Sequence, residues 1–441
     1  MLELDDIQYI LLSRVPALTG RYEFLTFRQP AGGRKWLEQI REKVPSAAQV
    51  AQTVEQDQRW ITVAFTHNGL RALGLDEASL ATFPEEFKQG MVARAEILGD
   101  TGRNHPDHWV GQLASPDLHA LVILFARTAE ERLRCQQKHE ELVAQCEGVE
   151  LLSALDLEAT PPFTYAHDHF GYRDRLSPVV IEGTGETPTP GSGPPLKAGE
   201  FILGYPDEDG PPANLPQPEE LSRNGSFMAY RRLEEHVGAF REFLKQQGAT
   251  PEEQELVAAK LMGRWRTGAP LVLAPEKEDP ELGGDCQRNN NFNYKEMDPH
   301  GYAVPLGSHI RRMNPRDTAA NMNRRRMLRR GATYGPYLPE GVPDDGKERG
   351  IAAFAICASL IRQFEFAQNV WVNDKNFHEL GNERDPFIGN HDGTLEYKIP
   401  KRPIRKVIKG LPAFTTVRGG AYFFLPGLKA LEYLASLGGP Q

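Results

Sequence analysis

Ser308-His309-Ile310-Arg311-Arg312-Met313-Asn314-Pro315-Arg316-Asp317, together with Arg324 to Gly335, holds the densest set of chemically capable side chains in the sequence. Eight arginines fall between Arg311 and Arg330, in a chain whose net charge is −9. A run of like charge is often no more than a solvated face. The use of arginine to the exclusion of lysine adds a second reading, because a planar guanidinium fork matches carboxylate or phosphate oxygens in pairs. His309 opens the stretch and imidazole is a common metal ligand, yet it is one of twelve histidines and spacing does not single it out. His105 with His108, and His167 with His169, lie close in sequence. Without cysteines or paired acids they make no zinc pattern. From the residues alone, the segment is either a basic surface or a buried seat for an anionic group.

Such side chains need a scaffold to converge. In the first half, Tyr22–Phe27 has the pattern of a strand and residues 34–44 that of a helix. Phe83-Pro84-Glu85-Glu86 opens another helix, with proline at its first turn and acids at the positive end of its dipole. The apolar run 118–126 suits a buried strand, and Thr128 to Glu131 matches a capping box for the helix that follows, with Gly148 as its stop. Residues 183–224 are crowded with Pro and Gly and predict a long irregular connection. Strand and helix patterns then return: strands at 226–231, 351–357 and 415–424, helices at 233–247, 251–264, 358–369 and 428–437. The polar segment 276–301 reads as a long loop, a class that is often functional. Strands and helices mixed in both halves indicate an α+β fold.

A length of 441 residues suggests two or three domains. With 40% apolar and 25% charged residues, the composition is that of a folded soluble protein. The acidic balance, and an arginine run without interleaved aromatics, oppose a nucleic-acid partner. The apolar stretch Ala120–Ala126 is far too short to span a membrane, so no membrane partner is expected. MLELDDIQYI is acidic and has no secretory pattern, which leads us to expect a cytoplasmic location. Cys135, Cys146, Cys286 and Cys357 show no C-x-x-C spacing and are expected to be unbridged thiols.

HIRRMNPRD at 309–317 and MLRRGATYG at 327–335 resemble the haem-binding region of the dye-decolourising peroxidase family. AFTHNGLRALGL at 64–75, FPEEFKQGMVARAEILGD at 83–100, GEFILGYPDE at 199–208, RQFEFAQNVW at 362–371, DPFIG at 385–389 and GGAYFFLPGL at 419–428 agree in the same order. The likeness runs from about residue 4 to 438 and is closest to the longer, loop-rich members. It implies two ferredoxin-like α+β domains with antiparallel sheets and peripheral helices, the dimeric α+β barrel type, divided as 1–205 and 206–441. It also implies a haem b cofactor, reduction of hydrogen peroxide, and oxidation of dyes, phenols or other organic donors by a monomer or homo-oligomer. A haem-binding or haem-handling protein with weak peroxidase turnover is the alternative.

By the same resemblance His309 is the proximal iron ligand, Arg329 the distal arginine, and Arg311 and Arg316 partners of the haem propionates. Asp385, with Glu383 as its rival, would accept the His309 ring N–H and fix its tautomer. Asp174 occupies the place of the distal acid of the family's G-x-x-D-G motif, where it would take a proton from one peroxide oxygen and return it to the other. Arg329 would stabilise the charge that grows on the departing oxygen. The chain departs from the motif here, because Arg175 stands where the final glycine belongs. A literal copy, Gly389-Asn390-His391-Asp392-Gly393, offers Asp392 as an alternative in a stretch that belongs elsewhere in the family. Glycine at 175 would allow a positive φ or a close backbone approach, and arginine makes either costly. Trp371 and Tyr337 are candidates for relaying electrons from large donors, or for plain packing.

Overall fold

The computed structural model describes residues 1–13, 19–52, 60–158, 167–212 and 215–438. Its strands are β1 (Thr19–Phe27), β2 (Trp60–Phe65), β3 (Ala120–Ala126), β4 (Val149–Glu158), β5 (Ser226–Glu235), β6 (Leu328–Tyr334), β7 (Gly350–Cys357), β8 (Glu396–Ile399), β9 (Lys406–Lys409) and β10 (Thr415–Leu425). Among the described residues, eight of them form one sheet in the order β4-β1-β3-β2-β10-β5-β7-β6, while β8 and β9 form a separate hairpin. Every pairing between these named strands is antiparallel.

The order is the same unit used twice. β1 to β4 lie as fourth, first, third, second, and β5, β6, β7 and β10 repeat that arrangement, each a ferredoxin-like half. The halves meet where Phe65 of β2 pairs with Phe424 of β10. Buried Gln8 stitches this seam. Its amide donates to Val63 O and to Pro426 O, both at 2.9 Å, and its oxygen accepts the Val63 N–H at 3.2 Å. The outer strands also approach, because Thr333 Oγ1 on β6 donates to Glu158 O on β4 at 2.5 Å. The sheet thus curls toward a barrel. Its interior is filled by Tyr22, Phe24, Tyr230 and Phe354, whose neighbouring ring centroids are 5.0 to 6.0 Å apart. On the outside, Trp36, Leu37 and Ile40 of helix Pro30–Arg41 pack with Leu431 and Leu434 of helix Leu428–Ser436 in the second core.

Local signals explain several boundaries. The Thr128–Glu131 capping box forms, and helix Ala129–Ala144 follows it. Gly148 takes a left-handed φ of 77° before β4, after the helix has already ended. Residues 233–235, expected to begin a helix, instead extend β5, since Leu233 is laddered to both Val417 and Ile351; the helix is Val237–Gln247. The helix expected over 358–369 is wound as π-helix at Leu360–Glu365 and Ala367–Asn373. Polar side chains tie this stretch down on the inside: Glu365 accepts from Tyr422 OH at 2.8 Å and Arg94 Nη2 at 2.6 Å, and Gln363 donates to Glu200 O and Arg326 O. π-winding of this kind recurs at functional sites.

Candidate functional site

His309 is the first residue of the short helix His309–Met313, behind Ser308. Its ring is mostly buried, and Nδ1 lies 2.9 Å from Asp385 Oδ2. Asp385 is fully buried, and its other oxygen accepts the backbone N–H groups of Phe387 and Ile388, both at 3.0 Å. Burial alone would raise the Asp385 pKa, but the His309 ring and these N–H donors hold it below the usual carboxylate range. A carboxylate at Nδ1 makes that nitrogen the donor, so the lone pair lies at Nε2. Nε2 meets no hydrogen-bond partner among the described residues. Glu383, the rival, turns elsewhere. It is buried 3.4 Å from Lys398 Nζ and pushed up to about 7 by that burial.

Arg329 projects from β6 on the face opposite Arg330, whose guanidinium reaches back to Ile10 O and Leu11 O. Its own Nη2 donates to Leu176 O at 3.2 Å, which fastens it to the loop that carries Asp174. Around Arg329 the same sheet face carries Gly331, paired with Ala353, and Arg329 is itself paired with Ala355. Both alanines stay only partly covered. A Cβ added at Gly331 would lie 2.8 Å from Ala352 O. Small, partly exposed residues thus line the sheet beside the arginine, with Gly331 backed closely by β7.

Other arginines converge here without matching acids. Arg264 is driven down to about 9 by burial, with Arg316, Arg329 and Arg173 opposing its charge. Arg326 is driven to about 10 by burial and by Arg329 and Arg316. Arginine does not lose its proton at such values; they express burial first and the neighbouring guanidiniums second. Arg264 and Arg316 are anchored by the long polar loops. Arg264 donates to Asn289 O at 2.6 Å, and Arg316 to Phe292 O at 2.7 Å, Asn290 O at 3.1 Å and Gly191 O at 3.1 Å. Arg316 also stacks 3.7 Å above the Phe292 ring. These cations are desolvated, and Arg264 and Arg326 have no carboxylate beside them while Arg316 feels only Asp317, a set that fits a group bearing acidic arms. That donor set, the free Nε2 and the small residues of the sheet face suit a flat anionic metal cofactor.

Arg311 does not join this set. Its donors are taken by Asp298 and by Val304 O, it stacks 4.3 Å from the Tyr294 ring centroid, and it is buried. Arg312 beside it clamps Trp371 O at 2.6 Å to Glu383 O at 2.8 Å. Trp371 is buried, edge-on to Phe366, and Tyr337 is half-buried.

Asp174 is exposed on an irregular loop whose base is fixed by buried groups. The Asp168 carboxylate accepts the Tyr172 N–H at 2.8 Å, Glu235 accepts the His169 N–H at 3.1 Å, and Arg173 N–H donates to Arg266 O at 3.0 Å. Arg175 takes a φ of 62° and Ser177 one of 56°, so the glycine-like conformation is kept without the glycine. Phe387 links the two sides. Its ring lies 6.0 Å from His309 and 5.8 Å from Tyr172. Asp392 is exposed and caps its own turn by accepting the Thr394 N–H at 2.9 Å.

Comparison with known proteins bears on the family and the fold. Residues 6–150 match the DyP dimeric alpha+beta barrel domain. "Peroxidase 2" of Mycetinis scorodonius is 30% identical over 468 aligned positions, covering 99% of this chain and 88% of that one. An ancestral D-type dye-decolourising peroxidase superposes with a TM-score of 0.87 at 28% identity, over 98% of each chain. The DyP-type peroxidase of Auricularia auricula-judae gives 0.86 at 27% identity, over 99% of each. With likeness of this extent in sequence and fold, the chain belongs to the dye-decolourising peroxidase family and is a peroxidase of that type.

Proposed function

We propose that this chain holds haem b through His309 and reduces hydrogen peroxide while oxidising dyes, phenols or other organic donors. The reading rests above all on the His309–Asp385 pair, which turns an unpartnered Nε2 lone pair into a metal ligand of raised basicity. Arg264, Arg316 and Arg326 are suited to take the carboxylate arms of the porphyrin; Arg311 is committed to Asp298. Bound haem supplies the electron transfer to peroxide. Asp174 receives a proton at its carboxylate from one peroxide oxygen and delivers it to the other. Arg329, fixed by Leu176 O, presents its guanidinium to the charge that develops and needs no reorganisation. The Arg175 departure favours one other reading, a haem-handling protein with weak turnover.

The absorption spectrum of purified protein before and after one equivalent of peroxide tests these roles together. Haem-reconstituted protein should show a Soret band that His309→Ala lacks. Asp174→Asn should keep the band and react with peroxide at least about 100-fold more slowly, as loss of general acid–base catalysis implies. Equal peroxide rates in Asp174→Asn and the parent would select the haem-handling reading.

A further inference from the structure

The hairpin β8–β9 carries a strongly basic surface in an acidic chain. From Lys398 to Lys409 it carries six cations and no acid, against a net charge of −9 for the whole sequence. Its inner side is anchored, with Tyr397, Ile399 and Ile408 in an apolar core. Two cations are spent on that anchoring, Lys398 on Glu383 and Leu380 O and Lys406 on Gln247 O. Lys401, Arg402, Arg405 and Lys409 remain exposed and form no ion pair among the described residues. In their midst Ile404 is 79% exposed, and Val407 is open as well. Arg402 leans on Tyr302, itself 43% exposed, with its guanidinium 5.4 Å from the ring centroid.

We propose that this tip, Lys401 to Arg405 with Lys409 and Tyr302, docks on an anionic lipid bilayer. Residues 401 to 405 are all exposed, so the tip protrudes. A protrusion cannot enclose a small anion, which needs a concave site. A rigid polyanion would use the cations but leave Ile404 in water. A bilayer uses both, with headgroup charge meeting the four cations, the isoleucine entering the acyl boundary and the tyrosine lying at headgroup level. The contact is peripheral, and no described helix is long and apolar enough to cross a membrane.

Flotation of the haem-loaded protein with vesicles tests this, using phosphatidylcholine alone and phosphatidylcholine mixed with phosphatidylserine. The protein should float with the mixed vesicles at low salt, stay behind with the neutral ones, and detach as salt rises. K401E/R402E/R405E/K409E should lower partitioning at least about 100-fold, and I404D about tenfold. Both variants should keep full peroxidase turnover in solution, because none of these residues lies in the haem site. Absence of flotation overturns the proposal. So does an I404D variant that floats like the parent, which would mean attraction to polyanions in general. A vesicle-free dimer that the charge variant splits would assign the tip to a second copy of the chain, and the proposal would fail.

Discussion

Arg175 keeps a left-handed backbone that glycine would adopt freely. For a residue with a Cβ that conformation costs roughly 1–2 kcal/mol. Arg175→Gly should therefore raise stability by about 1 kcal/mol, read as a shift in the denaturant midpoint, and leave the peroxide rate unchanged if loop shape is what matters. Asp385 is the other informative residue. Asp385→Asn keeps an acceptor at the His309 ring and removes the charge, which should cost about 10–100-fold in haem affinity or turnover. Retention of both would assign the tautomer control to another group. The sequence made His309, Asp385, Arg316 and Arg329 legible only through the family resemblance, since nothing in their spacing marks a ligand. Arg326 was visible only as a member of the arginine run, and Arg264 was not legible at all. What distinguishes them is the lack of any acid beside them in space, and Asp298 shows the converse by claiming Arg311 from 13 residues away in sequence.

At the level of elements, the loop bearing Asp174 hangs from a pair of carboxyl groups. Asp168 is pushed up to about 7 by burial, with Asp174 adding to the rise and Arg266 opposing it; Glu235 is raised further, by burial and by Asp168. Folded values above the unfolded ones mean that their stabilisation is complete below about pH 4 and is lost as pH climbs through the folded values. Asp385, held low, works in the opposite sense and loses its contribution only as pH falls through its folded value. Stability and turnover should thus fade on the alkaline side, and Glu235→Gln should extend activity upward in pH. A pH profile identical in the variant would exclude the loop anchor. Among elements, β1, β3, β5, β7 and β10 were legible from their apolar runs. β6 was hidden because its residues read as part of the arginine run: one face of it carries charge into the site while the other reaches Ile10 and Leu11. The π-winding at 360–373 was hidden too, because Glu365 and Gln363 find their partners only in the folded sheet.

For the whole molecule, the two halves share an aromatic interior and the Thr333–Glu158 contact, while at the β2–β10 seam one ladder pair and the Gln8 side chain join them. Gln8→Leu would leave Val63 N–H and O and Pro426 O without their partner in a buried place, at a cost of about 1–3 kcal/mol for each group left unpaired. Thermal unfolding should then keep a single step, because the aromatic interior is common to both halves, and move to a lower midpoint. The expected division at 205/206 falls within the irregular connection between β4 and β5. Equivalence of the halves could not be seen in the residues, because shared topology survives without shared side chains.

The gathering of arginines beside β6 has a consequence for the life of the protein before it acquires its pigment. Until two acidic arms arrive, these guanidiniums push one another apart, and the newly made chain should be looser there than the finished one. Inorganic phosphate should raise the melting temperature of the colourless form, and have little effect once the pigment is seated. Supply of porphyrin would then govern how much well-folded material a cell accumulates, and not only how much of it is active.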